Sequence, residues 1–212
     1  EQGIVGKAAT FSCVYVATDL HAALRCVEGL QTSQEDFALD GVTQLRCTRP
    51  GGYLYHLPRS LQDLTLRGFD QRVNSITFPS NLQNLTFGAP FNQSLMHVSL
   101  PSKLQTLTFG ANFNTSLENV TLPSDLQSLI LGAEFNQSLE RVTLPKKLES
   151  LTLGRMFNQG LDSVSFPSTL RSLTLGAEFN QSLEHVNLPD SLESLAFGEK
   201  FNQGLESVSF PS

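Results

Sequence analysis

Apolar positions recur along most of the chain as two short, linked patterns. In one representative copy, residues 139–144 read Leu-x-x-Val-x-Leu before Pro145, and residues 148–153 read Leu-x-x-Leu-x-Leu before Gly154. Apolar and polar residues alternate at the end of each pattern, as they do in a strand with one buried face. Proline lacks the N–H that would continue a sheet, and glycine permits a sharp turn. Each copy therefore predicts two short strands with turns between them and no helix.

The copies follow one another with a period of 22 residues. A phenylalanine and the asparagine after it mark this period, and prolines and glycines keep the same step. A fixed period of this length is typical of a solenoid, in which each repeat is one coil stacked on the last. We expect about seven coils with parallel strand pairing and no helix from Leu57 to Ser212. The first strand of a coil is predicted at residues 95–100, 117–122, 139–144, 161–166 and 183–188.

The repeated phenylalanine and asparagine predict two columns inside the stack. Aromatic rings at one position of adjacent coils come within stacking distance, so we expect a continuous spine through the core. The asparagines are expected to form a buried ladder whose amides bond to the turn backbone, since buried polar groups need partners. The spine comprises Phe91, Phe113, Phe135, Phe157, Phe179 and Phe201, and the ladder comprises Asn92, Asn114, Asn136, Asn158, Asn180 and Asn202.

The first fifty residues do not follow the repeat. Residues 11–17, FSCVYVA, predict a strand, and residues 18–30 predict a helix that begins at a Thr-Asp cap. The sequence thus predicts a small α/β N-terminal cap, residues 1–50, whose irregular first coil starts at about residue 41. The cap is expected to cover the open end of a mainly β solenoid, residues 51–212.

The motifs of the array resemble FNIP repeats, a variant of the leucine-rich repeat that is common in protists such as social amoebae. The resemblance rests on Phe-Asn-Gln at the start of a copy, Leu-Pro-x-x-Leu at its centre and Leu-x-Phe-Gly at its end, and it covers about residues 53–212. The sequence departs from the family where Pro usually follows Phe-Asn-x, because serine or glycine stands there, as at Ser138 and Gly160. The resemblance implies a leucine-rich-repeat-like solenoid that binds other proteins, often beside an F-box or another effector domain.

Composition and charge narrow the classes of partner. A net charge of −6 and a pI near 5.2 argue against nucleic acid, which is bound by clustered Lys and Arg. No stretch is apolar for long enough to predict a transmembrane helix, and no signal peptide is visible, so localisation stays undetermined. The chain starts at Glu1 and stops inside a copy at Ser212, which predicts that processing or truncation removed both natural ends.

Residues that could carry chemistry are scattered. The four histidines do not cluster, and no nucleophile, metal or phosphate-binding motif occurs, so we predict a non-enzymatic protein without metal or cofactor. Cys13, Cys26 and Cys47 match no metal pattern, and either one disulfide with a free thiol or three buried thiols fits their spacing. Six Asn-x-Ser/Thr sequences occur, and four of them contain ladder asparagines whose expected burial would block glycosylation. They begin at Asn84, Asn92, Asn114, Asn119, Asn136 and Asn180.

Two outward columns are candidates for function. A Thr and Ser column on the second strand is similar to the flat arrays with which some solenoids bind ice, but Ile130 and Ala196 interrupt it. An acidic column on the first strand carries like charges in register, which is destabilising. A solvated face, in which solvent screens the charges, is the default interpretation, and docking of a basic partner is the sharper hypothesis. The acidic column comprises Glu118, Glu140, Asp162, Glu184 and Glu206.

The leading hypothesis is a protein-interaction module or scaffold subunit whose acidic column docks a basic surface of a protein partner. One alternative is a solenoid that binds ice or another surface through the Thr and Ser column. A second alternative is the substrate-recognition part of a ubiquitin-ligase adaptor whose F-box lies outside this chain.

Overall fold

The computed structural model describes residues 4–8, 13–17, 42–47, 57–69 and 72–210. Its strands form one ten-stranded sheet in which the spatial order equals the chain order. The strands are β1 (Ile4–Ala8), β2 (Cys13–Ala17), β3 (Val42–Cys47), β4 (Asp63–Leu66), β5 (Asn84–Phe87), β6 (Thr106–Thr108), β7 (Ser128–Ile130), β8 (Ser150–Thr152), β9 (Ser172–Thr174) and β10 (Ser194–Ala196).

Consecutive strands from β3 to β10 pair in parallel, as stacking of similar coils requires. In β7 and β8, for example, Leu129 lies opposite Leu151, and both leucines are buried. Ser150 and Thr152 flank the second leucine, are half-buried and lie on the opposite face of the sheet. We call this opposite face, built by the outward residues of β3–β10, the strand face. At the N-terminal end, β1 and β2 pair antiparallel with each other, and β2 pairs antiparallel with β3.

The core behind the sheet is a stack of leucine and phenylalanine side chains. The ring of Phe135 is fully buried, and its centroid lies 5.9 Å from that of Phe113 and 6.2 Å from that of Phe157. Stacking of this kind runs from Phe91 to Phe201. Neighbouring strands are only about 4.8 Å apart, so equivalent points of successive coils diverge away from the sheet. The strand face therefore lies on the inner, concave side of the solenoid.

The first apolar pattern of each coil is a turn and not a strand, so the sequence prediction is wrong there. In one coil, the Val142 N–H donates to the Leu139 carbonyl oxygen over 3.0 Å, and the Glu140 N–H donates to Ser138 Oγ over 3.2 Å. The exposed polar pair Glu140–Arg141 occupies the bend, while the leucine and valine at its ends stay buried. The correction applies to residues 95–100, 117–122, 139–144, 161–166 and 183–188.

The glycine column is required by close packing between coils. The sequence predicted that Gly154 forms a sharp turn, yet the φ of Gly154 is not left-handed. A Cβ on Gly154 would lie 2.0 Å from the carbonyl oxygen of Gly132, and a Cβ on Gly132 would lie 1.9 Å from that of Gly110. The missing side chain lets the backbones of adjacent coils touch at this position.

Helix is nearly absent from the described part of the chain, where a 3-10 turn at Val73–Ser75 is the one exception to the predicted lack of helix in the array. No described helix is long and apolar enough to cross a membrane. β2 falls within the strand predicted over residues 11–17, whereas the helix predicted over residues 18–30 lies outside the described residues. The division into a cap and an array stays a prediction.

Candidate interaction surfaces

The strand face is a polar surface with two columns of outward side chains. Both columns are mostly Thr and Ser from β6 onward, but Ile130 and Ala196 interrupt the second one. The interruptions leave no continuous flat Thr array of the kind that ice binding needs. The paired positions are Asp63 and Thr65, Asn84 and Thr86, Thr106 and Thr108, Ser150 and Thr152, and Ser172 and Thr174.

At its N-terminal end the strand face carries charge and forms a pocket of about 460 Å³ over β3, β4 and β5. Arg46, Asp63 and Asn84 line the pocket, and Asn84 Nδ2 donates to Asp63 Oδ1 over 2.5 Å. The side chain of Arg46 has no hydrogen-bond or ion-pair partner among the described residues. The sequence did not predict this pocket, because the pocket lies where the repeat is degenerate.

The acidic column lies on the turn of the first pattern, which corrects its predicted place on a strand. Each carboxylate follows the leucine that opens the turn, so the column forms an outer edge of the solenoid that we call the turn edge. Glu118 is half-buried and its Oε1 accepts from Arg141 Nη1 over 3.3 Å. The remaining members are exposed and form no ion pair with any described residue; they are Glu140, Asp162, Glu184 and Glu206.

Elsewhere, opposite charges at equivalent positions of adjacent coils compensate each other. Lys147 Nζ lies 2.7 Å from Asp125 Oδ1, and Lys200 Nζ lies 2.6 Å from Glu178 Oε2. Arg171 pairs with Glu193 in the same way. These pairs were missed in the sequence, although the opposite charges one period apart could have indicated them. The turn edge from Glu140 onward is thus a place where like charges are stacked without such compensation in the described structure.

The ladder asparagines connect each coil to the next. The backbone N–H of Asn158 donates to Asn136 Oδ1 over 2.9 Å, and Gln159 Nε2 donates to the same oxygen over 3.0 Å. Equivalent backbone bonds of 2.8 to 2.9 Å join the other neighbours from Asn92 to Asn202. The predicted burial is wrong, because the asparagines range from half-buried to exposed. They lie at a bend of the coil, where one side of the amide faces solvent.

The N-terminal part of the chain contains a disulfide bond. Cys47 is buried and disulfide-bonded, and Cys13 of β2 is its register partner across the antiparallel pair. This outcome excludes the alternative of three buried thiols. Within the described residues, no group of three or more His, Cys, Asp or Glu side chains is placed to hold a metal ion.

The parallel one-strand coils, the phenylalanine spine and the asparagine ladder define the class of leucine-rich-repeat-like solenoids. The FNIP Repeat model matches residues 91–134, 135–178 and 179–212, which is more than half of the chain. The chain therefore belongs to the FNIP repeat family, and the predicted mainly β solenoid is confirmed. The repeat fold of this family is suited to protein interaction and is typically non-enzymatic.

A solved structure supports the same assignment. The chain is similar to CroV588, whose crystal structure is described as a novel circular LRR protein structure, at 41% identity and a TM-score of 0.66. The match covers 73% of this chain and 23% of the CroV588 chain, so this chain spans about a quarter of that protein. A search of curated proteins found no significant match.

Proposed function

We propose that this solenoid is a protein-interaction scaffold whose turn edge docks a basic surface of a protein partner. The observation that carries the proposal is the stack of exposed carboxylates without ion-pair partners in the described structure, from Glu140 to Glu206. The rest of the fold provides a rigid support, because ring stacking and the asparagine ladder fix each coil on its neighbour.

The cost of the column is an electrostatic argument for a partner. Equivalent positions of stacked coils are about 4.8 Å apart at the strands and 5.9 to 6.2 Å apart at the phenylalanine spine, so carboxylates at one position of successive coils are near neighbours. Like charges that face each other in this way are destabilising. The other ionic columns in the chain relieve this repulsion with Lys or Arg one coil away. A basic partner surface would relieve it at the turn edge, and the aligned charges would speed the encounter more than they would raise the affinity.

Carbodiimide cross-linking tests the docking site, since it joins a carboxylate directly to a lysine in contact with it. Proteins captured from lysate at low ionic strength are cross-linked to the chain, and the joined peptides are identified by mass spectrometry. We expect partner lysines on Glu140, Asp162, Glu184 and Glu206. Glu134, Glu149 and Asp190 are exposed carboxylates on other parts of the coil and serve as internal controls. Cross-links that fall on the controls and spare the turn edge would contradict the proposal.

A further inference from the structure

Six Asn-x-Ser/Thr sequences occur in the chain. In five of them, side chains of the sequence form hydrogen bonds within the fold. In the ladder copies, the asparagine Oδ1 accepts from the next coil and the serine Oγ accepts from the turn. Asn114 Oδ1, for example, accepts from the Asn136 N–H over 2.9 Å, and Ser116 Oγ accepts from the Glu118 N–H over 3.1 Å. The same two contacts recur at Asn92 and Ser94, Asn136 and Ser138, and Asn180 and Ser182.

The sequence that begins at Asn84 is engaged in a different way. Its Nδ2, the atom that a glycan would occupy, donates to Asp63 Oδ1 on the concave strand face. A sugar on this nitrogen would break the contact and would have to leave through the pocket over β3 to β5.

Asn119-Val120-Thr121 differs from the other five in every one of these respects. Asn119 lies in the turn closed by the Val120 N–H and the Leu117 carbonyl oxygen at 3.1 Å, and its φ of 62° is left-handed. Asparagine tolerates this conformation better than most residues. Asn119 and Thr121 are both exposed, and neither side chain forms a hydrogen bond with any described residue.

We propose that Asn119 is an acceptor site for an N-linked glycan. The donor is an oligosaccharide on a lipid diphosphate, and the bond from its first sugar carbon to the diphosphate oxygen breaks as the bond to Asn119 Nδ2 forms. The lipid diphosphate leaves, and the amide nitrogen loses one proton to a base of the transferase. Thr121 supplies the hydroxyl that the acceptor sequence requires.

The disulfide of Cys47 is an independent observation, and it favours the compartment in which N-glycosylation takes place. Disulfides form and persist in oxidising environments such as the endoplasmic reticulum lumen, which is also where N-glycans are attached, and the cell exterior. A glycan on Asn119 would stand beside Glu118 at the N-terminal end of the turn edge. The two proposals have separate readouts, glycan occupancy at Asn119 for one and cross-links from Glu140 onward for the other, so either can fail without the other.

The experiment routes the full chain into the endoplasmic reticulum of a eukaryotic cell and reads both the secreted and the retained protein. Peptides are mapped after enzymatic deglycosylation, which converts a glycosylated asparagine to aspartate. We expect occupancy at Asn119 in the folded, secreted chain and its loss in Thr121→Ala, which keeps the asparagine and its turn. Thr86→Ala, which removes the Asn84 sequence, is the matched control and should retain the Asn119 glycan. An unmodified Asn119 in both pools, or ladder asparagines that carry as much glycan in the secreted chain, would overturn the inference.

Discussion

Asparagine has at least two separate roles in this chain, and the residue type alone does not distinguish them. A ladder asparagine such as Asn136 accepts two hydrogen bonds from the following coil. Asn119 instead allows a turn to adopt a left-handed φ. The 22-residue period predicts the ladder contacts, because equivalent residues of stacked coils must be neighbours. Burial could not be predicted in this way, since it depends on where the coil bends.

The ladder bond can be measured by removing its acceptor at two equivalent positions. Asn136→Ala leaves the Asn158 N–H and Gln159 Nε2 without their acceptor and should lower the free energy of unfolding by about 1–2 kcal/mol, as the loss of two partly exposed hydrogen bonds does. Asn202→Ala is the matched control, because Asn202 Oδ1 accepts from no described residue. Urea denaturation gives both values. Equal losses for the two variants would show that the amide acts within its own coil only.

The phenylalanine spine gives a second prediction at the scale of single residues. Phe135→Ala removes a fully buried ring from between two stacked neighbours and should lower the free energy of unfolding by about 3–5 kcal/mol. Met156→Ala, at a side chain that is 39% exposed, should change it by less than about 0.5 kcal/mol. Both are compared by urea denaturation, and a small effect at Phe135 would contradict the stacked core.

At the scale of elements, one of the two predicted strands of each coil forms and the other does not. The Leu-x-x-Leu-x-Leu pattern contains the strand, as in Ser150–Thr152. In the Leu-x-x-Val pattern, two consecutive polar residues separate the apolar ones, and a serine before them accepts from the turn backbone. Alternation at Val142-x-Leu144 alone is too short to decide between a strand and the end of a turn. The serine two residues before Glu118, Glu140 and Glu184 was the signal for the turn in those copies, whereas glycine stands at that position in the copies of Asp162 and Glu206.

The close backbone contact between glycines of adjacent coils predicts that a side chain at this position destabilises the stack of coils. Gly132→Ala would place a Cβ 1.9 Å from the Gly110 carbonyl oxygen, so the coils must separate locally. We expect a loss of about 1–3 kcal/mol or more, the usual cost of overpacking. Gly160→Ala is the matched control, because its Cβ would meet nothing closer than Asp162 Oδ2 at 3.8 Å. Similar thermal denaturation midpoints for the two variants would refute the close contact.

At the scale of the whole molecule, the coils are close together at the sheet and farther apart behind it. The solenoid therefore has a concave strand face and an outer turn edge. The class of fold could be predicted from the period, since near-identical coils must stack in register. The N-terminal pocket at Arg46 and Asp63 could not, because it is built where the sequence leaves the repeat. We choose the turn edge over the strand face as the docking site because of its charge. The fold sets where these side chains lie, whereas the sequence sets which of them are charged.

Docking at the turn edge can be tested with two triple variants that change the net charge of the chain by the same amount. One removes carboxylates from the turn edge, and the control removes them elsewhere. Glu140→Gln, Asp162→Asn and Glu184→Gln together remove three uncompensated carboxylates, and Glu134→Gln, Glu149→Gln and Asp190→Asn remove three exposed carboxylates elsewhere. Both variants should fold, and the first should be slightly more stable, because like-charge repulsion across coils is relieved.

A lysine-rich peptide then serves as the probe in stopped-flow association measurements. The turn-edge variant should associate more slowly than the control variant, by on the order of tenfold at low salt, because steering depends on the local field and not on net charge alone. The difference should vanish near 1 M salt, where the screening length falls to about 3 Å. If both variants slow association equally, the attraction reflects only the overall acidity of the chain, and the turn edge is not its docking surface.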